Sequence, residues 1–416
     1  MMASSAMVKD SLSESNIGSS EVKLLVPAVD VADPELSIVI PALNEEVTIA
    51  GFVDWCQEGL RAADIRGEVL IIDSSTDATA EIALSRGARV LKTPKRGLGR
   101  AYIDALPFIR GVYVLMGDAD CTYDFRNLKP FVESFRAGCE YIMGSRFRGY
   151  IEPGSMPPLH QYFGTPVTTW LLNFLYSSRF SDIHCGMRGI TRDALRRMDL
   201  HSQSWEYASE MVVKSVRMQL RTAEVPVRFL KDQEGRLSHH KRAGWFSPWH
   251  AAWINVKAMF IYGADFFLLR PGLLLLLLGL LLTLPMALGP VAVGRVTFSL
   301  YWMLVGLTLC ILGLHGVYLG GLTRVFFDYG GQVTSRWLRA FSYTRSVCLS
   351  TLAAIAGGAL AAPLIREYLH YGLRLPADVG PANHLAVLGL LFMVGGSMNF
   401  TFTLALHAAA AYVRHK

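Results

Sequence analysis

The sequence predicts an α/β domain built on a mostly parallel sheet, followed by interfacial amphipathic helices and four transmembrane helices. Three observations carry that prediction. Short β-branched runs alternate with stretches of helical spacing between Leu36 and Met143, the order that builds a parallel sheet. Charged residues make up 18 % of the 416-residue chain, against about 25 % in a soluble domain. The deficit falls after Arg270, where four long apolar stretches fill the chain.

The elements follow in order. Residues 36–40 form an apolar run ending at Pro41, read as a buried strand. Helical spacing runs from Glu45 to about Arg61. Residues 69–72 are a second strand, and a polar turn over 73–79 leads into a helix ending at Arg86. A third strand covers 88–91, and Gly97 and Gly99 punctuate the loop before a helix that reaches about Ile109. A fourth strand, 112–116, stops at Gly117-Asp118-Ala119-Asp120, and a fifth covers 141–143. Ligands of such sheets sit at the carboxyl ends of the strands. Asp73 and the Asp118–Asp120 pair therefore belong on one rim.

Two amphipathic segments come next. Val167, Trp170, Leu171, Phe174 and Leu175 share one helical face within about 165–176. Trp245, Trp249 and Trp253 recur every fourth residue beside Lys241, Arg242 and Lys257, as in a helix lying among lipid headgroups. The spans are expected at 268–288, 298–320, 347–365 and 385–413, each able to cover about 30 Å of hydrocarbon. Arg324, Arg336, Arg339 and Arg345 lie between the second and third, and Arg414 and Lys416 follow the fourth. Positive residues mark the cytoplasmic side, which puts the α/β domain there, in an integral membrane protein assigned to a bacterial inner membrane. The expected organisation is a disordered leader at 1–33, a globular domain at 34–242, an interfacial helix at 243–267 and a four-helix membrane domain at 268–416. The first 33 residues lack the basic start and apolar core of a signal peptide.

The net charge is +6, which suits nucleic acid, anionic lipid or a phosphorylated substrate. No nucleic-acid-reading motif is present, and the spans favour lipid. The six cysteines contain no CxxC pair, so they read as free thiols in a reducing compartment, not as a disulfide frame or zinc site.

Asp118 and Asp120, one residue apart after a strand, can grip one divalent cation that also bridges a diphosphate, and hard oxygen ligands suit Mg2+ or Mn2+. Such a cation neutralises charge on a leaving nucleoside diphosphate. Asp73 can accept from a base N–H or a ribose hydroxyl, while Asp77 suits helix capping. The basic loop Lys95-Arg96-Gly97-Leu98-Gly99-Arg100 lets backbone N–H groups approach an anion at a helix start, although it matches neither the P-loop nor the full dinucleotide fingerprint. Arg146, in Gly144-Ser145-Arg146, can bind phosphate in a bidentate manner. Asp182, His184, Gly186 and Arg188 form a second polar knot, Glu206 and Glu210 sit on a helix, and the run from Gly235 to Arg242 is basic. A basic run beside a membrane attracts anionic headgroups, and some of its residues can also hold a lipid phosphate. His239 and His240 lack a third metal ligand at suitable spacing.

In this order the pieces resemble the family-2 glycosyltransferases of GT-A fold, and among them the polyprenyl- or dolichyl-phosphate hexose synthases. The matching strings are residues 36–46 (LSIVIPALNEE), 71–79 (IIDSSTDAT), 97–105 (GLGRAYIDA), 117–122 (GDADCT), 144–146 (GSR), 182–188 (DIHCGMR), 206–211 (EYASEM) and 224–229 (EVPVRF). The resemblance implies that Pro41, Leu43, Glu45 and Asp73 hold the nucleoside. It implies that Asp118 and Asp120, with Ala119 between them, hold metal and diphosphate, and that Arg146 holds a donor or acceptor phosphate. Three departures stand out. Ile72 replaces the first of a paired Asp, Thr122 stands where members often carry Gln as a further metal contact, and the usual RxxGxSK segment becomes Lys231 to Lys241 with altered spacing.

The expected reaction moves a hexose from a nucleotide-sugar of the UDP-glucose or GDP-mannose type to a polyprenyl phosphate, with inversion and a divalent metal. Asp118, Asp120 and Arg146 carry the chemistry, and Asp118, Asp120 and Thr122 hold the metal. Pro41, Leu43, Glu45, Asp73, Gly97, Gly99 and Ala119 bind donor. Arg146, Arg188, Arg236 and Lys241 bind the acceptor phosphate. That phosphate is already largely anionic at neutral pH, its second pKa being roughly 6, so no strong base is named. The expected partners are the membrane, the nucleotide-sugar and the lipid phosphate; a homo-oligomer is compatible with the chain. A rival uses a hydroxyl acceptor with Glu206 or Glu210 as base. A remoter rival is a membrane scaffold without activity.

Overall fold

The computed structural model describes residues 22–233, 253, 256, 257, 259–328, 331–374 and 379–414. The chain divides into two compact units, one up to Ile261 and one from Tyr262 to Lys416.

The first unit is an eight-stranded sheet with helices between the strands. Its strands are β1 (Lys23–Leu25), β2 (Leu36–Ala42), β3 (Gly67–Asp73), β4 (Arg89–Lys92), β5 (Tyr113–Met116), β6 (Tyr141–Ile151), β7 (Arg188–Thr191) and β8 (Thr222–Phe229). Its helices are α1 (Ile49–Ala62), α2 (Thr79–Ser85), α3 (Leu98–Ala105), α4 (Lys129–Arg136), α5 (Thr165–Tyr176), α6 (Arg192–Met198) and α7 (Tyr207–Arg217). The spatial order is β1-β4-β3-β2-β5-β7-β6-β8. β4, β3, β2 and β5 run parallel. β7 enters antiparallel between β5 and β6, and β8 runs parallel to β6.

Burial explains the central strands. Ile38, Val39 and Ile40 of β2 and Leu70 and Ile71 of β3 are fully buried, as continuous apolar runs covered on both faces must be. The register of β2 sets Ala42 beside Asp73 and Val39 beside Met116. The carboxyl ends of β3, β2 and β5 thus lie in a row.

Several boundaries differ from expectation. Residues 22–33, expected as leader, join the fold: β1 pairs with β4, and Asp30 forms a two-pronged ion pair with Arg110. The helix expected from Glu45 begins at Ile49, because Asn44 takes a left-handed conformation (φ 56°) and the next residues form a turn. α3 ends at Ala105, and a short 3-10 turn containing Pro107 follows, since proline cannot donate within a helix. The fifth strand extends from Met143 to Ile151. β7, four residues long, carries no clear alternation, while β8 alternates apolar Ala223, Val225, Val227 and Phe229 with mostly polar neighbours and was missed by sequence reasoning.

Among its described residues the second unit contains four helices long and apolar enough to cross a membrane: Ala264–Thr283, Leu300–Phe326, Tyr343–His370 and Pro381–Tyr412, the last within a helix reaching Arg414. Each begins before the stretch expected for it, except the second, which starts at Leu300. A two-stranded hairpin, Val291–Val293 with Val296–Phe298, follows the first helix, and a short amphipathic helix, Gln332–Ala340, carries Arg336 and Arg339. Inside the unit, Asn399 donates to Ser346 O (3.2 Å) and Ser350 Oγ (2.9 Å) and accepts from the Tyr318 hydroxyl (3.3 Å). Such bonds join helices where hydrocarbon offers polar groups no other partner. Of the expected interfacial helix, Trp245 and Trp249 lie outside the described residues, while Trp253 is described and exposed.

Candidate active site

The rim formed by β2, β3 and β5 is built from cross-linked loops. Asn44 N–H donates to Ser75 Oγ (2.7 Å), and Asn44 Oδ1 accepts from Thr76 N–H (3.0 Å). Glu45 N–H donates to Thr79 Oγ1 (2.9 Å), and Ser74 N–H to Ala42 O (3.1 Å). The expected capping by Asp77 is present as its acceptance from Thr79 N–H (3.1 Å). The loop after β2 is thereby locked to the turn after β3. Pro41 and Leu43 are half-buried here, and Glu45 is buried, accepting from Thr48 Oγ1 (3.1 Å).

Asp73, the last residue of β3, is 2 % exposed. It accepts from Ser75 N–H (3.2 Å) and has Lys92 Nζ at 4.0 Å. Burial pushes its carboxyl above the usual carboxylate range, against the pull of Ser75 and Lys92.

Asp118 and Asp120 follow β5, both half-buried, with Ala119 buried between them. Asp120 Oδ1 accepts from the N–H (3.0 Å) and the hydroxyl (2.6 Å) of Thr122. Thr122, expected as a metal contact, is thus placed where it orients the Asp120 carboxylate. Asp118 faces three buried tyrosines, Tyr102, Tyr123 and Tyr207. Burial raises all three phenol pKa values, and the Asp118 charge adds to the shift. Tyr123 also accepts from Gly186 N–H (2.8 Å), and a Cβ built on Gly186 would stand 2.4 Å from Asp118 Oδ2. Only glycine lets the 182–188 segment lie against that carboxylate. Among the described residues no three His, Cys, Asp or Glu side chains converge as a metal cage. Two half-exposed carboxylates fit a hard cation that takes its remaining ligands from a diphosphate.

Gly97 and Gly99 serve a close approach to the chain itself. A Cβ on Gly97 would meet Gln203 O at 2.2 Å, and one on Gly99 would meet Ser202 O at 2.1 Å. Lys95 and Arg96 remain exposed beside them.

Two of the three arginines expected to hold phosphate lie inside the fold. Arg146 is 7 % exposed and makes a bidentate pair with Asp182, Nε to Oδ2 at 2.7 Å and Nη2 to Oδ1 at 2.8 Å. Burial alone would raise the Asp182 pKa, but the Arg146 guanidinium overcomes it and holds the carboxyl below its ordinary value. Arg188, 1 % exposed, donates to Cys185 O (2.6 Å) and Ala208 O (3.0 Å). Burial pushes His184 down to about 4, and its Nε2 lies 2.8 Å from Thr168 Oγ1 of α5. Arg236 and Lys241 lie outside the described residues.

Glu210, weighed as a base, is fully buried and paired with Lys214 at 2.6 Å. Burial would raise its pKa; Lys214 overcomes that and lowers it. Glu206 is half-buried at the start of α7. Sequence reasoning missed Asn44, Thr79, Tyr123 and the 202–203 bend, whose roles come from contacts far along the chain. Asn44 alone left a signal, as an Asn after a strand suits left-handed backbone.

The chain is similar to several known proteins. The profile described as glycosyl transferase family 2 matches residues 37–199. The low-salt glycan biosynthesis hexosyltransferase Agl6 of Haloferax volcanii is 34 % identical over 393 residues, covering 92 % of each chain. The dolichyl-phosphate hexose transferase of the same organism is 30 % identical over 197 residues, covering 46 % of this chain and 82 % of its own. Among solved structures, mannosyl-3-phosphoglycerate synthase from Rubrobacter xylanophilus is 21 % identical, with a TM-score of 0.42 over 54 % of this chain and 73 % of that one.

Proposed function

The chain belongs to glycosyl transferase family 2, and from that premise we propose that it moves a hexose from a nucleotide-diphosphate sugar to a polyprenyl phosphate at the cytoplasmic face of a membrane, with a divalent cation. The observation that carries this reading is the half-exposed Asp118–Asp120 pair at the carboxyl rim of the parallel strands, in a chain with four helices apolar enough to span a bilayer. The relative named as a dolichyl-phosphate hexose transferase supports the choice of acceptor.

Each residue then has a duty. Pro41, Leu43, Glu45 and Asp73 receive the nucleoside, and the bonds among Asn44, Ser75, Thr76 and Thr79 keep that seat in shape. Asp118 and Asp120 hold Mg2+ or Mn2+, with Thr122 orienting Asp120. When bound, the cation neutralises charge on the departing diphosphate. The Lys95–Gly99 loop lies beside the donor phosphates. Arg146 holds Asp182, and with it the segment whose Gly186 lies against Asp118. Arg236 and Lys241 receive the acceptor phosphate near headgroup height. Catalysis by these groups is positioning and electrostatics. The positive loops around Arg324, Arg336 and Arg339 support a cytoplasmic placement.

A hydroxyl acceptor would need a base. The ion-paired, buried state of Glu210 speaks against that role and leaves Glu206 as its candidate.

The test is direct. Purified full-length protein is given a panel of labelled UDP- and GDP-sugars with Mn2+ or Mg2+ and polyprenyl phosphate. An acid-labile lipid product is expected. Transfer only to hydroxyl-bearing lipids or glycans would overturn the acceptor assignment.

A further inference from the structure

Glu210 is buried in the first turn of α7 and heavily engaged. Its carboxylate accepts from His201 N–H (3.0 Å) and Ser202 N–H (2.8 Å), and Lys214 Nζ stands 2.6 Å away. Lys214, also buried, donates to Met198 O (2.9 Å) and Asp199 O (2.7 Å), where α6 ends. Buried backbone N–H and C=O groups need partners, and this one ion pair supplies both kinds. It stitches α7 to the bend between α6 and α7.

The bend then runs into the glycine loop. Its Ser202 and Gln203 carbonyls occupy the space that Cβ atoms on Gly99 and Gly97 would need, at 2.1 and 2.2 Å. Gln203 O also accepts Arg100 N–H (3.1 Å) at the start of α3, where no side chain caps the helix. Tyr207, at the start of α7, packs beside Tyr102 of α3, with ring centroids 5.0 Å apart.

We infer that Glu210 is a positioning residue for donor binding: with Lys214 it clamps the 201–203 bend against Gly97 and Gly99 and so holds the Lys95–Gly99 loop in one shape. The inference rests on the proposed function, in which that loop lies beside the donor phosphates. Glu210 touches no substrate in this scheme. It acts through the bend.

The experiment uses full-length protein and steady-state kinetics with the nucleotide-sugar as varied substrate. Glu210→Leu with Lys214→Met removes both charges together and keeps buried volume, so no unpaired charge is left, although the backbone groups at 198–202 lose these partners and some stability is lost with them. The expected result is a donor KM raised about tenfold, with kcat within about twofold and the lipid-phosphate KM unchanged. Gly99→Ala pushes the Ser202 carbonyl from the other side and should raise donor KM as well. The combined variant should lose less than the product of the two effects, because both act on one contact. Glu210→Gln keeps one acceptor oxygen for the bend but loses the ion pair, and if the double replacement does not fold it should raise donor KM by a smaller factor, in the same direction. A folded variant with wild-type donor KM would overturn the clamp, as would a fall confined to kcat. Calorimetry of wild-type protein with UDP or GDP and Mn2+ separates the two levels. Binding by wild type, with donor KM unchanged in the variants, sinks the clamp alone; no binding by wild type sinks the proposed function and the clamp with it.

Discussion

Gly186 lies directly against Asp118: a Cβ on the glycine would stand 2.4 Å from the carboxylate Oδ2, so any larger residue there must displace that carboxylate. The 182–188 segment therefore presses backbone against the acidic pair. It is held there by the Tyr123 hydroxyl on Gly186 N–H and by the Asp182–Arg146 pair. This contact joins the polar knot after α5 to the rim of the parallel strands.

Replacing Gly186 by Ala should displace the Asp118 carboxylate. Overpacking of this kind costs about 1–3 kcal/mol. Transferase activity should fall about tenfold or more and recover partly as Mn2+ is raised. A metal titration of activity beside a thermal melt checks this; an unchanged metal requirement would contradict it.

Asp120→Asn should leave the fold intact, because the amide oxygen can still accept from Thr122 N–H and hydroxyl. Activity should drop by roughly two orders of magnitude or more, the scale lost when a charge-stabilising group is removed. Chelating the cation from wild-type protein should have a similar effect, reversed by adding it back. Turnover by the variant at the wild-type rate would rule out the metal role.

Arg146→Met should destabilise the first unit by about 3–5 kcal/mol, because Asp182 is left buried and unpaired. Adding Asp182→Leu should recover much of that loss. If Arg146 instead serves mainly as a phosphate contact, the single variant will melt near wild type while acceptor KM rises.

His184 makes stability depend on pH. Its folded pKa is pushed from 6.5 down to about 4 by burial, with Arg146 and Arg188 adding to the shift and Asp182 opposing it. The unfolded chain therefore binds more protons than the native state between these values, so stability rises with pH in that window. The contribution is complete above about pH 6.5 and is lost as pH falls toward 4. It amounts to roughly 3.5 kcal/mol at most, at about 1.4 kcal/mol per pKa unit. Asp182, held low by Arg146, adds a loss at more acidic pH. The melting temperature of wild type should fall relative to that of His184→Gln as pH drops from 7 to 4, and a constant difference would contradict this.

Much of the architecture was legible in the chain. The runs at 36–40, 69–72 and 112–116 are short and apolar apart from Ser37, as strands covered on both faces are. Leu268 to Leu288 is apolar over a length that only hydrocarbon or a large core accommodates. The acidic pair and Asp73 could be placed on one rim because each follows a strand. β1 and β7 were not legible: three or four residues hold too little pattern, and pairing with β4 and β5 decides their state. Gly97 and Gly99 were visible as special but not for their reason, since the carbonyls that crowd them come from residues 202 and 203. Arg146 looked like a phosphate ligand because a basic residue after a strand is compatible with that duty, and Arg188 because it stands in the polar knot at 182–188. Whether such a charge faces a ligand or a buried carboxylate depends on what packs over it.

The sequence by itself determined the class of the long apolar segments, the parallel run of the central strands and which carboxylates share a rim, because hydrophobic period and strand ends are local properties of the chain. The tertiary structure decided which charges are matched internally, which glycines admit a neighbouring backbone and which carboxyl is a strut. Those outcomes depend on distances between residues many tens of positions apart, such as Arg146 to Asp182 or Gly99 to Ser202, and only packing sets them.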